Sequence, residues 1–136
     1  MDIRRISGNF TVCKLTNIST VNYEAEYCFV GNAENEISLV CRTVDVPRNI
    51  VERDDGWRGL RIDGVLDLSL IGVLAQISTL LAEEKISIFV VSTFNTDYIF
   101  VKKKNEARAL KCLSRAGYNI LPLGRRTASA GRYEQI

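Results

Sequence analysis

The sequence predicts an α+β protein, an antiparallel sheet with helices on one face, built from two units of which the first is reduced. Three features carry that expectation. Leu70, Val73, Leu74, Ile77, Leu80 and Leu81 recur at three- and four-residue spacing, which puts them on one face of a helix. The runs 86–93 and 97–101 are short, β-branched and aromatic, and the polar Phe94-Asn95-Thr96 link joins them as a hairpin directly after that helix. An earlier hairpin, 27–30 and 36–42 across Gly31 to Asn35, repeats the later one at a shift of 61 residues. Asn32 then falls on Thr93, Asn35 on Thr96, Glu36 on Asp97, Leu39 on Phe100 and Val40 on Val101.

Composition removes several classes of function. At 136 residues, 46% apolar and 25% charged, the chain can bury an ordinary globular core. A net charge of +2 lacks the concentrated basicity of a nucleic-acid surface, so no nucleic-acid partner is expected. The segment MDIRRISGNF has no apolar run of signal length, and no stretch is long enough to span a bilayer, so the expectation is a cytoplasmic protein with no membrane partner. Cys13, Cys28, Cys41 and Cys112 are widely spaced, with no C-x-x-C pair and no histidine beside them. They read as buried, reduced thiols, and no cofactor or metal is expected.

In chain order, residues 9–16 (NFTVCKLT) read as a first strand and NISTVNYEAE as a loop. Residues 43–55, with Pro47 and a charged ERDD run, read as a linker or irregular crossover rather than a helix. The next strand lies between Trp57 and Ile62, with Trp57 a packing anchor. Matching Val12 to Ile62 gives a shift of 50, so the first unit lacks 11 residues where the second holds its helix. After Lys102-Lys103-Lys104, Asn105 is placed to cap a second helix whose buried face is Ala109, Cys112, Leu113 and Ala116, with Gly117 to stop it. A last strand over 118–121 completes a β-α-β-β-α-β order. The tail 124–136 has little to bury and reads as mobile.

Four segments resemble the ACT family, in particular its paired small-molecule sensors, which include the CASTOR arginine sensors and the regulatory part of aspartate kinases. They are VCKL at 12–15, EISLVC at 36–41, GVLDLSLIGVLAQISTLLAEEKISIFVVST at 64–93 and TDYIFV at 96–101. The resemblance implies the ferredoxin-like ACT fold, with a reduced ACT-like unit at 1–55, an ACT domain at 56–123 and the tail beyond. It also implies a non-catalytic regulatory or sensor protein that holds an amino acid at an interface between ACT units and answers with a change of conformation or of affinity for a regulated protein partner. Carried over by position, the ligand-binding residues are Asp63, Gly64, Val65, Leu66, Asp67 and Ser69 in the loop into the helix, and Val91, Ser92, Thr93, Thr96 and Asp97 in the strand and turn. Because the family's sensors carry more ACT units than this chain can hold, a complete site implies a homodimer.

The chemistry of these residues suits an amino acid without reference to any family. A helix amino terminus offers free N–H groups to a carboxylate, Gly64 and Gly72 allow close backbone approach, and Asp97 can accept from an ammonium or guanidinium. Each residue also has a purely structural reading: Asp63-Gly64 as a tight turn, Asp67 or Ser69 as a helix cap, Asp97 as a brace for the 94–96 turn. An enzyme is disfavoured, since there is no histidine, no nucleophile elbow and no G-x-x-x-x-G-K loop, and Arg58 and Arg61 lack a phosphate cradle. An RNA-binding sheet would use alternating aromatics such as Tyr98 and Phe100, but its K/R-G-F/Y signature is missing. The remaining alternative is a ligand-free protein–protein interaction module of the same fold.

Overall fold

The structure, a computed structural model, describes residues 1–63 and 72–123. Nine elements follow one another: β1 (Asp2–Leu15), β2 (Phe29–Ala33), β3 (Glu36–Arg42), β4 (Ile50–Asp63), α1 (Val73–Glu83), β5 (Ile88–Ser92), β6 (Asp97–Lys102), α2 (Glu106–Arg115) and β7 (Asn119–Leu121). The strands form a single sheet in the order β2-β3-β1-β4-β6-β5, with β7 parallel to the start of β1. All other pairings are antiparallel. The expected α+β, ferredoxin-like arrangement with helices on one face is the one observed. Among the described residues no helix is long and apolar enough to cross a membrane.

Two strands are longer than their sequence suggests. β1 starts at Asp2, not Asn9, and residues 50–55, expected to be a linker, are the first part of β4. The side chains of residues 51–55 are exposed, so the segment shows no apolar alternation, yet its backbone is paired with β1 from Leu15↔Ile50 to Val12↔Asp54. The β1–β4 register shifts around Phe10, where Gly8 (φ 103) and Gly56 (φ 86) take conformations that favour glycine. The last strand is also placed differently from the simple β-α-β-β-α-β order. Residues 2–6 occupy the edge of β4, so β7 pairs with β1 instead of β4. The boundary expected at residue 55 lies inside continuous β4.

A pseudo-twofold relates β1 and β3 to β4 and β6. Phe10 pairs with Arg42 as Trp57 pairs with Lys102, and Phe10 and Trp57 pair with each other on the axis. Arg42 and Lys102 have nearly the same backbone angles (φ −62, ψ 144 and φ −65, ψ 143), and each leads into a 3-10 turn, Thr43–Asp45 or Lys103–Asn105. Each cation also lies over its aromatic partner, the Arg42 guanidinium 5.9 Å from the Phe10 ring and the Lys102 ammonium 4.7 Å from the Trp57 ring. The hairpin repeat is therefore an internal symmetry of the fold, but at a shift of 60 (Arg42 to Lys102) rather than 61 and, for the leading strands, of 47 (Phe10 to Trp57) rather than 50, so that Val40 and not Leu39 is the counterpart of Phe100.

Three cores result. Under the helices, Ile3, Leu60, Ile62, Ile99 and Val101 of the sheet pack with Ile77 and Leu81 of α1 and Ala109 and Leu113 of α2. Val73, Leu74 and Leu80 of the expected stripe are partly buried at its margin, and Leu70 lies outside the described residues. In the first unit Cys13, Leu15, Leu39 and Cys41 pack with Val21, brought in by the 16–28 connection that stands where the second unit has its helix. All four cysteines are free thiols, and Cys13 and Cys41 are buried. The third core fills the face without helices: Ile6, Phe10, Val40, Trp57 and Phe100. The sheet curls strongly toward this face, since the rings of Phe29 on β2 and Tyr98 on β6 meet at 5.3 Å across three intervening strands. Phe100 is wholly buried there, stacked on Phe89 at 4.6 Å, and offers no platform to a base.

Candidate functional site

The expected ligand residues belong to two segments, and one hydroxyl joins them. Thr96, buried in the turn between β5 and β6, donates its Oγ1 hydrogen to the carbonyl of Ile62 near the end of β4. The turn is closed by Thr93 N–H to the Thr96 carbonyl at 2.8 Å and by the Thr93 hydroxyl to the same oxygen at 3.1 Å. This brings Asp63 and the Thr93–Asp97 turn to the same end of the sheet. Gly64, Val65, Leu66, Asp67 and Ser69 lie outside the described residues. Gly72, in the left-handed region at φ 93, is the residue from which α1 begins, and no side chain caps it.

Alternation splits the described candidates between the two faces. Val91 packs in the aromatic core of the helix-free face, and Asp63 shares that face with Trp57, Gly59 and Arg61 by strand alternation. Ser92 and Asp97, register partners at the ends of β5 and β6, alternate with Val90 and Ile99 and so lie on the helix side. Thr93 is exposed. Asn105 does not cap α2 with its side chain. Its Oδ1 instead accepts from Arg108 at 3.1 Å.

Asp63 is already engaged. Arg4 Nε donates to its Oδ2 at 2.8 Å, and Arg61 Nε stands 2.9 Å from its Oδ1, off the line of a hydrogen bond. Arg4, Arg61 and Tyr98 form a row across β1, β4 and β6, because Arg4 pairs with Arg61 and Arg61 with Tyr98. Tyr27, from the end of the 16–28 connection and itself at φ 64, sets its ring edge-on to Tyr98 at 5.9 Å. Burial pushes both phenols above their ordinary value, so both keep the O–H at neutral pH. Sequence reading missed this row because Arg4 lies in a strand whose first half carries no clear alternation, and because Tyr27, expected inside the strand 27–30, lies before β2, which starts only at Phe29.

At the other end of the helix-free face, an open cavity of about 470 Å³ is lined by Lys14, Glu36, Ser38, Glu52 and Asp54, among others. It holds the pseudo-twofold counterparts of the row: Lys14 stands for Arg61, Ser38 for Tyr98 and Glu52 for Arg4. Among the described residues no group of three or more histidine, cysteine or acidic side chains could hold a metal ion.

Comparison with known proteins agrees with this architecture. Residues 52–115 match the model of the ACT domain. A protein of Agrobacterium tumefaciens has the same fold over 94% of this chain and 97% of its own, with a TM-score of 0.82 at 20% identity. The ligand-free regulatory subunit of aspartate kinase from Thermus thermophilus superposes over 86% of this chain and 97% of its own (TM-score 0.61, 10% identity). Aspartate kinase of Clostridium acetobutylicum superposes over 84% of this chain and 33% of its own (TM-score 0.61, 15% identity). No curated protein sequence matches.

Proposed function

We propose that the protein, whose residues 52–115 match the ACT domain, is a non-catalytic regulatory or sensor protein of the tandem ACT type, which binds an amino acid at an interface between ACT units. The observation that carries this reading is the bond from Thr96 to the Ile62 carbonyl, which locks the β5–β6 turn against the end of β4. Two segments far apart in sequence are thereby joined at one end of the sheet. The proposed ligand contacts are Asp63, the loop Gly64 to Ser69, and Val91 to Thr93 with Thr96 and Asp97. Asp97 makes no side-chain hydrogen bond or ion pair among the described residues, so it is available to an ammonium. Similarity in fold to a kinase's regulatory subunit supports the regulatory role.

The test is a thermal-shift screen of the twenty amino acids, since a ligand that binds only the native state raises stability with its concentration over Kd. The expected result is a rise in Tm with one amino acid or a few, lost in Asp97→Ala. A flat screen sinks the reading. It would favour an interaction module, for which Phe94, 98% exposed at the tip of the same turn, would be a contact residue.

A further inference from the structure

We propose that Arg4, Arg61 and Tyr98, overhung by Tyr27, form a carboxylate-recognition site on the helix-free face, complete within one chain. The inference deepens the amino-acid reading and rests on it for the class of ligand, a small organic acid of which an amino acid is the expected case.

The argument begins with register. Arg4 and Arg61 are direct cross-strand partners on β1 and β4, an arrangement in which like charges oppose folding. Among the described residues the one carboxylate that both guanidiniums contact is Asp63, which each meets through Nε. Their side chains remain 41% and 43% exposed, so both forks are within reach of a solute. The nearby acids are occupied: Glu26 pairs with Arg42 at 3.1 Å, and Asp2 accepts from Asn119 at 3.2 Å.

The fold supplies its own control. At the pseudo-symmetric place in the first unit, Lys14 is paired with Glu52, an opposite-charge pair in the same geometry. The architecture therefore does not require two arginines side by side, and an anion between them would relieve their repulsion. Arginine forks bind carboxylates in a bidentate way. The Tyr98 hydroxyl beside Arg61, and the Tyr27 hydroxyl brought by the first unit, add neutral donors. Tyr27 makes the site one between units, inside a single chain.

The experiment uses the full chain, with the twenty amino acids, glutarate (carboxylates without an ammonium) and pentylamine (an ammonium without a carboxylate) as probes. Melting and titration calorimetry are followed up to about 10 mM probe, enough to register a millimolar Kd. The expected result is binding of carboxylate probes but not of pentylamine. Affinity should fall about ten- to a hundredfold in Arg4→Gln and in Arg61→Gln, and less in Arg61→Lys. The melting temperature of the unliganded variants should change little, because the repulsion removed offsets the one contact to Asp63 that is lost with it.

Unchanged affinity in both glutamine variants overturns the site while leaving amino-acid binding elsewhere intact. Arginine-dependent binding of glutarate with no amino acid bound would uphold the site and sink the amino-acid reading. Silence from every carboxylate overturns the inference, and so does a fall in unliganded melting in both variants, which would give the arginines a structural role.

Discussion

The Thr96 hydroxyl is buried and donates to the Ile62 carbonyl, so its loss removes a bond made out of water's reach. Thr96→Val, nearly the same in shape, should cost about 1–3 kcal/mol in urea denaturation. Asp97→Ala should change stability by no more than about 0.5 kcal/mol, because Thr93 and Thr96 hold the turn between them and Asp97 adds no bond among the described residues. That contrast decides between bracing and ligand contact at Asp97, which its sequence position alone left open. Cys41 provides a pH-dependent counterpart. Burial, aided by the nearby Cys13, Asp45 and Cys28, pushes its thiol from 9.0 to about 12. A raised pKa favours the neutral thiol in the folded state, so this contribution to stability is whole below pH 9 and is lost as pH rises from there toward 12. Native Cys41 should therefore resist iodoacetamide at neutral pH and react only on unfolding. Mass spectrometry of alkylated peptides checks it.

Both helices end in the same way, although only one ending is legible in the sequence. After α2, Gly117 (φ 103) sends its N–H to the Ser114 carbonyl at 3.0 Å and Tyr118 reaches Leu113 at 3.1 Å. After α1, Lys85 (φ 58) and Ile86 make the equivalent bonds to Ala82 at 2.9 Å and Leu81 at 3.0 Å. Both are six-to-one, five-to-two terminations, for which glycine is the preferred residue. The glycine announced the end of α2, whereas a lysine in the same role gave no signal, and α1 runs to Glu83 beyond its apolar stripe. The two positions should respond in opposite directions: Lys85→Gly stabilising by about 0.5–1 kcal/mol, Gly117→Ala destabilising by about 1 kcal/mol. From Val73 to Leu81 the apolar stripe faces the core as expected, but burial is graded along it. Ile77→Ala or Leu81→Ala, both fully buried, should cost about 2–5 kcal/mol, and Leu74→Ala, at the margin of the core, clearly less. Equal losses at all three would mean that α1 sits differently on the sheet.

At the scale of the whole molecule, local pattern showed the hairpins, the helices and their repeat, because each is written at a period of two or of 3.6 residues. The curl of the sheet and the route of β1 were not legible, because they depend on Gly8 and Gly56 bending two long strands together and on residues 2–6 filling the edge of β4. With that edge filled, the ends of the sheet path are β2 and β5. They differ in character. β2 exposes Gly31 and Asn32, whereas β5 reads Ile-Phe-Val-Val-Ser, with no charge, proline or glycine to deter pairing. A second copy pairing along β5 is the expected remedy, so the protein should sediment as a dimer at about 50 μM, a concentration at which weak association is visible. Ser92→Lys, a charge at the exposed end of β5, should shift it toward monomer. Such a dimer is separate from the arginine site, whose Tyr27 comes from the same chain. Ligand-induced stabilisation should therefore persist on dilution, with one ligand per chain and an affinity independent of protein concentration. Binding that weakens as the protein is diluted below its dimer dissociation constant would place the site between two copies instead.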